Sequence, residues 1–365
     1  MSLLATIIVV IIFNTIVAVA ALMLFDMYKQ SAKKSTKKQN SVERHHKNPV
    51  LAPHPDHPWE SYSTFNPGAV LDDDEQVHLL YRAMGDDGVS RMGYSKSEDG
   101  FHFGEKIGYP VFSMQSPRKM HPTIIRRPDP VMYPSGGSWG GCEDPRIVRI
   151  GDTIYVTFNA FDGWDFIRMG CVSINAKDFF EKKWNWSQPM LISPPGELHK
   201  NWVLFPEKIN GKFAILHSIY PEISIEYVNR LEDLASGVQV IKSPWKDRIP
   251  RDSWDTWLRG AGPPPLRTER GWLVLYHAMD ASDPNRYKLG AFLLDFHDPT
   301  KILARAPEPL LVPDMWYENA EPGIVYVCGA LIKKDTLFIY YGGGNKYVCV
   351  ATAPLDHILN KLVAV

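Results

Sequence analysis

Two hydrophobic patterns divide the chain. From Leu3 to Phe25 it reads LLATIIVVIIFNTIVAVAALMLF, with Asn14 and two threonines as the only polar residues and no charge. At a rise of ~1.5 Å per residue this stretch spans roughly 34 Å as a helix, enough to cross a bilayer. No Lys or Arg precedes it, whereas Lys29, Lys33, Lys34, Lys37, Lys38, Arg44 and Lys47 follow. A cleaved signal peptide would have a positive start and a shorter apolar core. The positive-inside rule therefore predicts a single-pass membrane protein with residues 1–25 as a transmembrane anchor and the C-terminal side in the cytoplasm. Residues 26–50 read as a basic, polar tether that can touch anionic lipid.

Beyond the tether the pattern changes to short alternating or wholly apolar runs bounded by turn residues. Helical periodicity is nearly absent. GAVLDDDEQVHLLYRAM (68–84), EDPRIVRIGDTIYVTFNAFDG (143–163), KNWVLFPEKINGKFAILHSIYP (200–221), GAGPPPLRTERGWLVLYHAMD (260–280) and EPGIVYVCGALIKKDTLFIYYGGG (321–344) share one plan. Each is a strand, a turn such as Asn210-Gly211 or Gly151-Asp152, a second strand, and then a third. The unit starts lie about 57–77 residues apart. An antiparallel unit repeated five times predicts an all-β fold, a five-bladed β-propeller over residues 51–365. A two-domain β-sandwich accounts less well for the recurrence. In a propeller the starts of the units converge, which would gather Asn66, Glu143, Asp144, Arg146, Lys200, Asn201 and the Gly260–Pro265 loop around one pocket.

Composition narrows the chemistry. The net charge of −1 lacks the basic excess of a nucleic-acid protein. Aromatic content of 12%, with 11 Trp and 16 Tyr, suits a β protein or a carbohydrate binder. None of Cys142, Cys171, Cys328 and Cys349 forms a CxxC pair, so no zinc site is expected, and a cytoplasmic location would keep the thiols reduced. His45, His46, His54 and His57 show no regular ligand spacing and read as solvated linker residues. No metal or organic cofactor is indicated.

Several polar residues stand where strands end. Arg82 and Arg91 close matching strands of the first unit and suit hydroxyl or anion binding. Lys200, Asn201, Glu207 and Lys208 surround Phe205-Pro206, and His217 and His277 each end an apolar strand (AILHS and LVLYHAMD). Asp280 and Tyr341 occupy similar ends.

The blocks FNPGAV, YRAM…SRMGYSKSEDGFHF, GCEDPRI, KNWVLFPEKINGKFAILH, GAGPPP…GWLVLYH and IYYGGGN resemble glycoside hydrolase family 130 in order and spacing, over roughly Leu51 to Val365. Glycosyltransferase family 108 is a related group. The resemblance implies an inverting β-mannoside phosphorylase or β-mannosidase on a five-bladed propeller. It implies Asp144 as the acid that protonates the departing oxygen, partly through a sugar hydroxyl, and Glu143 as a ligand of sugar hydroxyls. Arg146 would hold the acids in place or bind phosphate, and His217 and His277 are further candidate phosphate ligands. An anionic phosphate needs no general base, so one carboxylic acid and cations suffice. Inorganic phosphate would be co-substrate and a β-mannoside oligosaccharide the other partner, with a homo-oligomer compatible with the sequence. Two departures weaken the phosphate case and raise the hydrolase reading: His217-Ser218 where the family has His-Arg, and Asn345 where it has Asp. A hydrolase would need a base, for which Glu207, Asp280 and Glu321 are candidates. Mannosyl transfer and a membrane-anchored, non-catalytic glycan binder are the remaining readings.

Overall fold

Runs such as VHLLYRAM and TLFIYYGG are rich in β-branched and aromatic residues and too short for helices; they form strands buried along nearly their whole length. A computed structural model describes residues 42–365 apart from 105, 115–128, 130–134, 162–166, 243–252 and 320–322. β1 (Glu43–Arg44) opens it. β2 (Ser63–Leu71), β3 (Val77–Met84), β4 (Val89–Ser97), β5 (Gly140–Ile150), β6 (Thr153–Phe161), β7 (Arg168–Asn175) and β8 (Met190–Leu191) follow in that order across one seven-stranded sheet. β9 (Val203–Leu204), β10 (Phe213–Ser218) and β11 (Ser224–Val228) make a three-stranded sheet. β12 (Trp257–Ala261), β13 (Leu266–Arg267), β14 (Trp272–Asp280), β15 (Asp283–Leu294) and β16 (Ile302–Arg305) form most of a six-stranded sheet. β17 (Val325–Lys333), β18 (Thr336–Gly343) and β19 (Tyr347–Pro354) make a four-stranded sheet with β1, and β20 (Val363–Ala364) completes the six-stranded one against β16.

The chain is thus mostly β, with helices confined among the described residues to Ala176–Phe180, Glu232–Ala235 and Leu355–Lys361. Two expectations are corrected. No described helix is long and apolar enough to cross a membrane. The apolar run 3–25 lies outside the described residues, and neither the transmembrane helix nor the single-pass, cytoplasm-facing location is carried forward. The hydrogen bonds also do not give five separate blades. Val89 and Ser90 pair in parallel with Gly140 and Gly141, which fuses the first two antiparallel meanders and leaves four sheets in place of the expected five-bladed propeller. Glu43 and Arg44, within the stretch read as tether, pair with Thr352 and Ala351 of β19.

Apolar clusters fill the spaces between consecutive meanders. Leu80, Tyr94, Val156 and Phe158 join the first and second, and Leu79, Tyr81, Phe338 and Val350 join the first to the last. The leading strands approach closely: a Cβ at Gly329 of β17 would lie 2.6 Å from the Pro67 carbonyl oxygen of β2. All four cysteines are buried and free.

Candidate active site

At the head of β2 and of β5 the ladder slips, between Phe65 and Gly68 and between Glu143 and Arg146. A bulge of this kind re-aims a side chain out of the pleat. The residues so placed are Asn66 (φ 46°) and Asp144 (φ 53°), each followed by a proline. Asn and Asp tolerate the left-handed region better than other non-glycine residues, which explains the N-P and D-P pairs at equivalent places. Asn201, ahead of β9, adopts φ 64°. The Asn66 amide needs room: a Cβ at Gly342 would sit 1.9 Å from its Oδ1.

These residues share one cavity of about 440 Å3, lined by Asn66, Arg82, Asp144, Lys200 and Asn201 together with Ser135, Arg259, Tyr287, Ile324, Tyr326 and Asn345. Asp144 Oδ1 accepts from Asn66 Nδ2 (2.7 Å) and Arg82 (3.0 Å), and Oδ2 accepts from Asn159 Nδ2 (3.1 Å). The second terminal nitrogen of Arg82 donates to Glu143 Oε1 at 3.0 Å, so one guanidinium spans both carboxyl groups. Ser135 Oγ lies 2.6 Å from Glu143 Oε2 and accepts from Lys200 Nζ at 3.0 Å.

Arg146 acts behind the cavity. It donates to the Gly262 carbonyl (2.9 Å), the Asp144 carbonyl (2.9 Å), Asn201 Oδ1 (2.6 Å) and the Tyr326 hydroxyl (3.4 Å), and Tyr326 donates to Asn201 Oδ1 at 3.0 Å. Asn66, Asp144, Asn201, Gly262 and Tyr326 come from the five repeat units in turn, so these bonds tie all five units together at one place.

The electrostatics of the adjacent acids diverge. Burial raises the pKa of Asp144, but Arg82, Arg146, the Asn66 amide and Lys200 outweigh it and hold the carboxyl below its ordinary value. For Glu143, which has no exposed surface, burial prevails over Arg82 and Lys200 and raises the pKa. Burial also lowers the pKa of Lys200, against the pull of Glu143 and Asp144.

Of the residues singled out in the sequence, Asn66, Arg82, Glu143, Asp144, Arg146, Lys200 and Asn201 assemble here. The structure places the others elsewhere. Arg91 is paired with Asp87 at 2.6 Å, Glu207 with Arg267 at 2.5 Å near the surface, and Asp280 with Lys288 at 3.4 Å. Tyr341 is buried and donates to Glu318 at 2.7 Å. His217 lines a separate cavity of about 320 Å3 with Ser218 and Lys242. His277 accepts from the Val327 amide at 2.8 Å and stacks on Tyr326, and burial pushes its pKa down to about 3; it is not among the residues lining the cavity. Arg146 spends its donors on protein acceptors. Glu321 lies outside the described residues.

Sequence reasoning missed Ser135, Arg259, Tyr287 and Tyr326. Arg259 directly precedes the Gly260 loop and Tyr326 lies just inside the fifth unit, so position in the repeat could have found both. Ser135 sits in a long connection without pattern and gave no signal.

The family described as beta-1,4-mannooligosaccharide phosphorylase matches residues 40–363. A 1,2-beta-oligomannan phosphorylase of Thermoanaerobacter sp. is 34% identical over 321 residues, 85% of this chain and 96% of that protein. A beta-1,2-mannobiose phosphorylase of the same organism is 32% identical over 325 residues, with the same coverage of 85% and 96%. The solved beta-1,2-mannobiose phosphorylase of Listeria innocua, in complex with beta-1,2-mannobiose, aligns over 88% of this chain and 99% of its own with a TM-score of 0.63 at 24% identity, a likeness of fold. With a carboxylate, three cations and three asparagine amides in one cavity, and these matches across most of its length, the chain belongs to glycoside hydrolase family 130.

Proposed function

We propose that the chain catalyses the inverting phosphorolysis of β-mannosides, with the 1,2 linkage of its relatives as the preferred substrate, and runs the reverse synthesis when phosphate is scarce. The observation that carries this reading is the charge of the cavity. Among the described residues lining it, Asp144 is the single carboxylate, facing Arg82, Lys200 and Arg259. An inverting hydrolase needs a second carboxylate roughly 6.5–9.5 Å from the first to activate water. Of the candidate bases, Glu207 and Asp280 are held in ion pairs with Arg267 and Lys288 and do not line the cavity, and Glu321 lies outside the described residues. An anionic nucleophile needs cations instead, and these are present.

In this mechanism phosphate attacks C1 of the mannosyl unit from the face opposite the bridging oxygen. The C1–O bond breaks, Asp144 delivers its proton to the leaving sugar's oxygen, and α-mannose 1-phosphate forms. Lys200 and Arg259 hold the phosphate. Arg146 instead fixes Asp144 and Asn201. In the free protein the carboxyl of Asp144 is held ionised, and a dianion entering the cavity offsets the surrounding cations and lifts its pKa. Phosphate and the catalytic proton are thus taken up together.

The test is incubation with β-1,2-mannobiose, with and without phosphate. Phosphate-dependent release of α-mannose 1-phosphate is expected. Free mannose formed equally fast without phosphate would establish a hydrolase, and no turnover of any mannoside would leave a binding protein.

A further inference from the structure

The segment that opens the described chain reaches the cavity at one remove. Val42 is buried beside Ala353 and Leu359, and Glu43 and Arg44 pair with β19. The main chain then follows β19: His45 N donates to the Val350 carbonyl (3.0 Å) and Val50 N to that of Val348 (2.8 Å). Asn48 exchanges two bonds with the Val350 backbone, at 2.8 and 2.9 Å. Residues 42–51 are a strap along one sheet edge.

From this strap Arg44 reaches the segment 312–319. Its Nε donates to Glu318 Oε1 at 2.7 Å, and one terminal nitrogen donates to Glu318 Oε2 at 3.0 Å and to the Val312 carbonyl at 2.7 Å. The backbone amides of Asp314 (3.0 Å) and Met315 (3.1 Å) and the Tyr341 hydroxyl (2.7 Å) complete the shell of this fully buried carboxylate. Glu318 in turn leads to the cavity wall. Its carbonyl accepts from Ile324 N at 2.9 Å, the Ile324 carbonyl accepts from Gly344 N at 3.1 Å, and the Gly323 carbonyl accepts from Tyr287 N at 3.1 Å. Ile324, Tyr287 and Asn345, which follows Gly344, all line the cavity.

We propose that Arg44 is a positioning residue: the strap clamps Glu318, and Glu318 sets the wall of Ile324, Tyr287 and Asn345 against which the mannoside rests. The role needs arginine, because a planar fork can meet both carboxylate oxygens and a carbonyl at once, while an ammonium is a point charge. The inference rests on the reading of the cavity as a mannoside site and adds to it residues more than 200 positions from the wall they fix.

Arg44→Met in the full chain is expected to raise KM for β-1,2-mannobiose about ten-fold with kcat within about two-fold, the pattern of lost uniform binding. KM for phosphate, which meets Lys200 and Arg259, stays unchanged. Arg44→Lys recovers part of the loss. Because Arg44→Met strands a buried carboxylate, Arg44→Met/Glu318→Gln removes both charges and is expected to show the same KM rise in a chain that remains folded. An unchanged mannoside KM with only a lower Tm overturns the proposal, as does a parallel loss of kcat and both KM values. If the wild-type chain turns over no mannoside, the proposed reaction fails by itself. The strap is then judged by titrating β-1,2-mannobiose calorimetrically against wild type and Arg44→Met, and equal affinities, or no binding by either, overturn it.

Discussion

Two buried acid clusters in this molecule look alike by burial and differ in what surrounds them. Glu60 is fully buried and accepts from His57 (2.6 Å), Lys106 (2.9 Å) and the Tyr81 hydroxyl (3.1 Å). One lysine faces one carboxylate, and none of these residues lines the cavity. Asp144 is nearly as buried and equally well bonded, but it stands beside a second acid, in a left-handed conformation, on an open cavity with cations in excess. The first cluster is a staple whose charges cancel. In the second, one carboxylate lines the cavity opposite three cations. Burial of charge alone therefore does not mark function; burial with access and unmatched charge does.

The sharpest way to break this contrast is to neutralise each acid site. Asp144→Asn keeps the shape and removes the proton, and is expected to lower kcat by about 10³-fold or more, with Tm nearly unchanged. Lys106→Met, which leaves Glu60 without its cation, is expected to destabilise the fold by about 3–5 kcal/mol in urea titration. Its kcat, measured on protein that is still folded, stays near wild type. If Lys106→Met lost activity as Asp144→Asn does, or if Asp144→Asn only destabilised, the two clusters would be one kind of thing.

A smaller effect separates them by pH. A general acid works only while protonated, so kcat/KM should fall as pH rises through the Asp144 pKa of the free protein, which the guanidinium groups hold low. Bound phosphate offsets those cations, and the alkaline limb of kcat at saturating phosphate should lie about one pH unit or more above that of kcat/KM. Coincident limbs would mean that phosphate and proton are not taken up together.

Much of this was legible in the sequence, for a definite reason. Repeats of strand and turn are written in period-two patterns and punctuating glycines, and the structure brings Asn66, Asp144, Lys200 and Asn201, from the heads of the first three units, to one cavity. Asn66, Asp144 and Asn201 each adopt a positive φ near the start of their unit. Arg91, Glu207 and Asp280 also end or flank strands, but they are held in ion pairs with Asp87, Arg267 and Lys288, and residue type alone does not reveal such pairing. Pairing between β4 and β5 was invisible because it depends on where Gly140 and Gly141 return after a long connection, a contact that local pattern does not encode. The Arg44 clamp was hidden likewise. A basic residue in a polar stretch reads as tether until Glu318, distant in sequence, is seen beside it.

Glu207 gives the finest test. From sequence it qualifies as a hydrolytic base beside Lys200 and Asn201; in the structure it meets Arg267 at 2.5 Å with both side chains about half exposed, 46% and 60%. An exposed pair of this kind contributes about 0–1 kcal/mol and is screened by salt. Glu207→Gln should therefore change kcat and KM by less than about two-fold and shift stability by under about 0.5 kcal/mol. A hydrolase that used Glu207 as its base would show the reverse, since removing a base costs orders of magnitude in turnover without phosphate. The mutation with the smallest expected effect is thus the one whose large effect would most damage the assignment of one acid and an anionic nucleophile to this cavity.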